Sequence, residues 1–115
     1  MKHQESDIQR DCIKWFRLRF KEPNYLIFAV PNGGKRNRIE AAIMKAEGVR
    51  AGVADLIVMS NHKLFFIEMK AAKTVQTETQ IEFEKIVNGL GFNYYLCRSF
   101  DDFRNVIEKE LLTKN

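Results

Sequence analysis

Apolar positions along this chain change their spacing several times, and each change marks an element. Across residues 4–21, Ile8, Cys12, Ile13, Trp15, Phe16 and Phe20 recur at helical intervals among charged residues, which predicts an amphipathic first helix. Pro23 and Asn24 stop it. Residues 25–30 (YLIFAV) form a short apolar run suited to a buried strand, and Pro31-Asn32-Gly33-Gly34 closes it as a loop. A second helix is expected from about residue 36 to 47, with Gly48 in the terminating position.

Two strands follow, 53–60 (VADLIVMS) and 63–70 (KLFFIEMK), with Asn61 and His62 between them as a tight hairpin turn. Apolar residues on alternate sides of both predict the middle of a sheet covered on two faces. Thr77-Glu78-Thr79-Gln80 has the spacing of a capping box and opens a third helix that Gly91 ends. Residues 93–98 (NYYLCR) read as a last inner strand, and Ser99 caps a final helix over 100–112, whose first turn carries Asp101 and Asp102. No repeat, linker or low-complexity stretch interrupts this order, so one α/β domain over 1–115 is expected.

Composition narrows the classes. With 45% hydrophobic and 30% charged residues the chain lies in the ordinary globular range. Lys and Arg outnumber Asp and Glu by 19 to 15, a net +4 that favours a polyanionic partner without requiring one. Cys12 and Cys97 fall in apolar segments without CxxC or Cys/His spacing, which points to buried free thiols. The start MKHQESDIQRDC has no apolar signal core and no run is long enough to span a bilayer, so the expected location is the cytoplasm of the cell that makes or hosts the protein.

Chemistry concentrates at the hairpin. If Asn61 and His62 are its turn, Ser60 faces Lys63, Ile57 faces Phe66 and Asp55 faces Glu68, with Lys70 on the same face as Glu68. Opposed carboxylates among Leu56, Val58, Phe65 and Ile67 repel in a poorly solvated setting. A divalent cation held by both would relieve that, with Lys70 adding positive charge. The same residues also fit a plainer arrangement, with both acids in water at strand ends and Lys70 paired to one of them.

Aspartate, hairpin, then Glu-x-Lys is the motif of the PD-(D/E)xK nucleases. Gly48-Val49-Arg50-Ala51-Gly52-Val53-Ala54-Asp55-Leu56 followed by Ile67-Glu68-Met69-Lys70 resembles one branch, the stand-alone VRR-Nuc family of phage and bacterial type. Glu5 in the first helix, the basic loop Pro31–Arg36 and Gln80 stand in the family's order. One departure is Ala54, where the family usually has proline.

The resemblance implies a restriction-endonuclease-like central mixed sheet flanked by helices. It also implies Mg²⁺ or Mn²⁺ as cofactor, held by Asp55, Glu68, the Met69 carbonyl and Glu5, all hard oxygen donors. Lys70 would position or deprotonate water, and Gln80 would stand near it. Glu5 also fits a helix first turn favoured by the macrodipole, and Gln80 is accounted for by its capping box.

Lys35, Arg36 and Arg38, on a loop with Gly33 and Gly34, suit phosphate, as does Lys73; the plainer reading is a solvated basic face. The implied activity is endonucleolytic hydrolysis of DNA, selective for branched or junction substrates in the manner of a Holliday-junction resolvase. A homodimer would present two active sites to opposing strands. The alternatives are an inactive or subunit-dependent nucleic-acid-binding module of the same fold, and a hydrolase of small phosphate esters.

Overall fold

The computed structural model describes residues 2–31 and 37–112, without the side chains of Lys2 and His3. The elements are α1 (Lys2–Arg19), β1 (Leu26–Ala29), α2 (Arg38–Ala46), β2 (Leu56–Ser60), β3 (Lys63–Met69), α3 (Glu78–Gly89), β4 (Asn93–Cys97) and α4 (Phe100–Leu111). Their order is the one the apolar pattern predicts. The second helix starts later than expected because Asn37 caps it, its side chain accepting from Glu40 N–H while Glu40 reaches back to Asn37 N–H. Thr77 and Gln80 make the predicted box at α3, and Ser99 caps α4. Gly48 and Gly91 follow α2 and α3 at φ +103° and +95°, the left-handed exit that glycine takes without strain.

The sheet runs β1-β2-β3-β4. β1, β2 and β3 are antiparallel neighbours, and β4 lies parallel to β3, with α3 as the crossover, so the sheet is mixed as expected. Two expectations are corrected. The 25–30 run is an edge strand in which only Ile27 is buried, and the 93–98 strand lies at the opposite edge. An apolar run reports cover on the faces of a strand; it says nothing about how many of its edges are paired.

One face of the sheet carries Ile27, Leu56, Val58, Phe65, Ile67 and Met69 under α1 and α4, whose Cys12, Phe16, Phe103 and Ile107 complete the main core. Trp15 sets its ring edge-on to Phe100 and Phe103 and ties the two helices together. The other face is covered over β3 and β4 by α3, through Val87 and Phe83 against Tyr94, Phe66 and Ala54. Each large side chain buried in this way stabilises the fold by about 1.5–3 kcal/mol. Cys12 and Cys97 are free and buried, and burial pushes each thiol up to about 12. Among the described residues no helix is long and apolar enough to cross a membrane.

Candidate active site

The β2–β3 register is the one the hairpin count predicts. Ser60 faces Lys63, Ile57 faces Phe66 and Leu56 faces Ile67, so one step outward Asp55 stands opposite Glu68. Asp55 has left the strand, and its position is held twice. Its carbonyl accepts from Val30 N–H at 2.8 Å, and its Oδ2 accepts from Met69 N–H at 2.7 Å. Alternation along β3 puts Glu68 on the face that α3 covers, and Lys70 continues that alternation just past the strand.

Glu68 is only 2% exposed and Lys70 9%, so neither stands in water at a strand end, while Asp55 is half-buried. Glu68 is oriented from two sides. Gln80 Nε2 donates to its Oε2 at 3.0 Å, and the Tyr94 hydroxyl donates to its Oε1 at 3.5 Å. The Gln80 amide oxygen accepts from Thr77 N–H at 2.9 Å in the predicted capping box, while its nitrogen donates to Glu68, a bond that neither the capping box nor an expected place near Lys70 specifies.

Burial raises the Glu68 carboxyl, and the facing Asp55 raises it further, to about 8, against smaller lowering by Lys70 and Tyr94. Asp55 is also raised, by burial first, although Met69 N–H, the hydrogen bond with Glu68 and Lys70 pull the other way. In the metal-free protein burial and the facing carboxylates favour one proton shared between Glu68 and Asp55.

A stability test follows from the sign of this shift. An unfolded glutamic acid releases its proton near pH 4.5, while folded Glu68 keeps it until about pH 8. Below 4.5 both states bind it, so burial of the neutral acid is without penalty; as pH rises from 4.5 to 8 the folded state binds the extra proton and stability falls. The slope approaches about 1.4 kcal/mol per pH unit. Thermal unfolding in chelator should show this fall for the native chain and a flatter profile for Glu68→Gln. Parallel profiles would mean that Glu68 is ionised throughout.

The remaining expected ligands lie beside this pair. Glu5 on α1 accepts from Ala71 N–H through its Oε2 at 3.0 Å, immediately after Lys70 in the chain. Glu5, Ser6, Gln9, Asp55 and Met69 line a cavity of about 210 Å³. Among the described residues no three His, Cys, Asp or Glu side chains gather closely enough to enclose an ion by themselves. The donor set is a facing carboxylate pair with a third carboxylate across the cavity. Facing carboxylates that burial and repulsion from neighbouring carboxylates push toward the protonated form are a fit for a divalent ion with hard oxygen preference.

Of the residues expected at DNA, Lys35 and Arg36 lie outside the described residues. Arg38 is exposed at the start of α2, and Lys73 is exposed on the segment after Lys70. That segment is pinned by Arg98, whose guanidinium donates to the carbonyls of Ala71 at 2.8 Å, Ala72 at 3.3 Å and Thr74 at 2.6 Å. Tyr94 and Arg98 are not among the residues the sequence singles out. Both belong to or follow β4, and only the parallel β3–β4 register brings them to Glu68 and Lys70.

Two solved structures share this arrangement of elements. One, described as "VRR_NUC domain protein", superposes with a TM-score of 0.77 at 24% identity, over 95% of this chain and 88% of that one. Another, "VRR_NUC domain", gives 0.65 at 20% identity, over 91% and 95%. The chain has the VRR_NUC fold. No protein-family model and no curated protein matches the sequence. At these identities it is the backbone that is shared, and within the VRR_NUC fold the loop before Asp55 has its own requirement here. Gly52, at φ +85°, packs against the first turn of α3, where a Cβ would stand 2.3 Å from Thr79 O. That contact seats Gln80 next to Glu68. Ala54, at the position where the sequence resemblance leads one to expect proline, is fully buried against α3 and β4.

Proposed function

We propose that this protein is a metal-dependent endonuclease that hydrolyses DNA phosphodiesters. The observation that carries this reading is the facing pair of half-buried Asp55 and buried Glu68, with Lys70 on its face and Gln80 bonded to Glu68. The likeness to VRR_NUC structures supports it.

Asp55 and Glu68 would hold Mg²⁺ or Mn²⁺, together with the Met69 carbonyl and Glu5, directly or through water. When bound, the ion supplies charge neutralisation and polarisation of the phosphate. The chain's own residues do the rest. Gln80 and Tyr94 keep the Glu68 carboxylate aimed, and Met69 N–H does the same for Asp55, so neither must reorganise as charge develops. Lys70 orients the attacking water and offsets negative charge on the phosphate. A bond forms from the water oxygen to phosphorus as the bond to the leaving sugar oxygen breaks; the water loses a proton and the sugar oxygen gains one. Lys35, Arg36, Arg38 and Lys73 contact phosphate near the cut.

The cations named above would meet phosphates and not base edges, so the domain reads backbone shape more than base sequence. We propose branched or junction DNA as the substrate, a homodimer as the working form, since a two-fold axis would present two sites to opposing strands, and the cytoplasm as its place. Incubation of linear, nicked, flapped and four-way DNA with Mg²⁺ or Mn²⁺ tests the reading. Cleavage of the branched forms in preference, abolished by chelator, is expected; no metal-dependent cleavage of any of them would sink it.

Lys70→Ala should lower saturated turnover by about 10²–10⁴-fold, the range for a positioned proton-transfer or charge-stabilising group, with a smaller loss of metal affinity. Lys70→Arg should not restore the native rate, since a planar guanidinium does not replace a compact ammonium. Equal losses of metal binding and rate in Lys70→Ala would mark the lysine as structural.

A further inference from the structure

Outside the site, the strongest unassigned feature is a line of cations on α1. Arg10, Lys14 and Arg17 are spaced four and three apart, which places them within an arc of about 60° on the helix. All three are exposed, and Lys21, two residues beyond the helix end, is exposed as well. Their face is turned away from Cys12 and Phe16, which bury the opposite side of α1 in the core.

The line is continuous with the active-site cavity. Arg10 Nη2 donates to Ser6 Oγ at 3.3 Å, and Ser6 lines the cavity with Glu5 and Asp55. At its far end Arg17 and Lys21 border a surface groove of about 270 Å³ beside β1. Acidic neighbours lie at both ends: Asp7 pairs with Arg10 at 3.3 Å and Asp11 follows it at the near end, and Glu22 adjoins Lys21 at the far end. The side chains of Lys14 and Lys21 form no ion pair with a described residue.

We infer that this stripe is a second nucleic-acid backbone track, which carries the substrate strand away from the cleavage cavity along α1. The inference rests on the nuclease reading above. Cations spaced one helical turn apart along roughly 16 Å match the length of about five base pairs, so the stripe meets DNA beyond the residues flanking the cut. Its charge is unspecific in sequence, as a backbone contact requires. A like stripe recognising an acidic protein would have no reason to begin at the rim of the cavity.

The test compares the native chain with a Lys14→Gln, Arg17→Gln, Lys21→Gln variant on two duplexes, one extending past the stripe and one trimmed by about five base pairs on that side. Glutamine keeps helix propensity without the charge; Arg17→Gln also gives up a 3.5 Å bond to the Ile27 carbonyl, so an unchanged thermal midpoint is required to verify the fold. Binding is measured against salt in chelator. On the long duplex the variant should show a log affinity–log salt slope shallower by about 0.9 for each phosphate that is no longer neutralised, up to about 2.7. On the trimmed duplex native and variant chains should have the same slope, and saturated cleavage of that duplex with metal should be the same for both. Lys14→Arg and Lys21→Arg should leave the long-duplex slope as it is. Equal slopes for native and variant on the long duplex, or an equal flattening on both duplexes, would overturn the track while leaving the nuclease reading intact. Failure of the native chain to bind or cut DNA at all would overturn both.

Discussion

Glu68→Gln should lose at least about 10³-fold in metal-dependent turnover on DNA and yet be more stable than the native chain at pH 8 in chelator. The two effects come from one feature. The glutamate is 2% exposed, faces Asp55 and has its carboxyl raised to about 8, so the metal-free protein must either hold a proton there or bear a buried like-charge pair. An amide is neutral and similar in shape; its nitrogen can donate to Asp55 and its oxygen can still accept from Gln80, at the cost of the long 3.5 Å bond from the Tyr94 hydroxyl. Stability therefore rises as the repulsion is removed, while a neutral amide oxygen is a poorer partner for a divalent ion.

Glu68→Ala should lose the same activity without the gain, because it leaves Gln80 Nε2 and the Tyr94 hydroxyl without their acceptor inside the fold. Asp55→Ala should likewise abolish turnover, and it strands Met69 N–H. In all three variants DNA binding should stay within a few-fold of native, since the phosphate-contacting cations are untouched. Native turnover in any of the three with Mg²⁺ would remove the pair from the mechanism; a loss of stability in Glu68→Gln at pH 8 would show that Glu68 is not strained by its setting. The stabilised, inactive variant is the usual relation between a functional site and the fold that tolerates it.

Most of the site is legible in the sequence because a two-residue hairpin leaves only one register. Once Asn61 and His62 form the turn, Asp55, Glu68 and Lys70 follow by counting, and the structure has His62 at φ 58° with Ser60 facing Lys63. Gln80 is legible for a different reason, the local chemistry of a capping box, and the family resemblance places it near Lys70; its bond to Glu68 is seen only in the structure. What stays hidden depends on contacts between segments distant in sequence. Tyr94 reaches Glu68 and Arg98 reaches the 71–74 carbonyls through the parallel pairing of β3 with β4, whose register no turn specifies. Edge positions are hidden for the same reason, since the apolar runs 25–30 and 93–98 carry no sign of which of their edges are paired, and in the first of them only Ile27 is buried. The Asn37–Glu40 box, by contrast, is a local signal that places the start of α2 correctly once it is recognised.

Gly52→Ala should be among the most damaging small substitutions in the chain, although it lies outside every helix and strand. Gly52 has φ +85°, and a Cβ there would stand 2.3 Å from Thr79 O, 2.4 Å from Thr79 C and 2.8 Å from Gln80 N. All three are backbone atoms of the first turn of α3, so no side chain can swing aside. The left-handed conformation costs an alanine about 1–2 kcal/mol, and forcing α3 away adds about 1–3 kcal/mol of the kind seen on overpacking. The sum, roughly 2–5 kcal/mol, is a large share of the ~5–15 kcal/mol that holds a domain of this size together, and corresponds to a midpoint lower by roughly 10–20 °C. Two other glycines separate the contributions. Gly48, at φ +103° with nothing within 4 Å of its Cβ, should lose only the conformational part on mutation to alanine. Gly89, in α3 with open space around it, should be neutral or gain about 0.5–1 kcal/mol. The Gly52→Ala protein that remains folded should also cut DNA more slowly than either control, because a displaced α3 takes Gln80 away from Glu68. If thermal unfolding ranks Gly52→Ala no worse than Gly48→Ala, the loop before Asp55 is not seated on α3, and another contact must be what aligns Gln80 with Glu68.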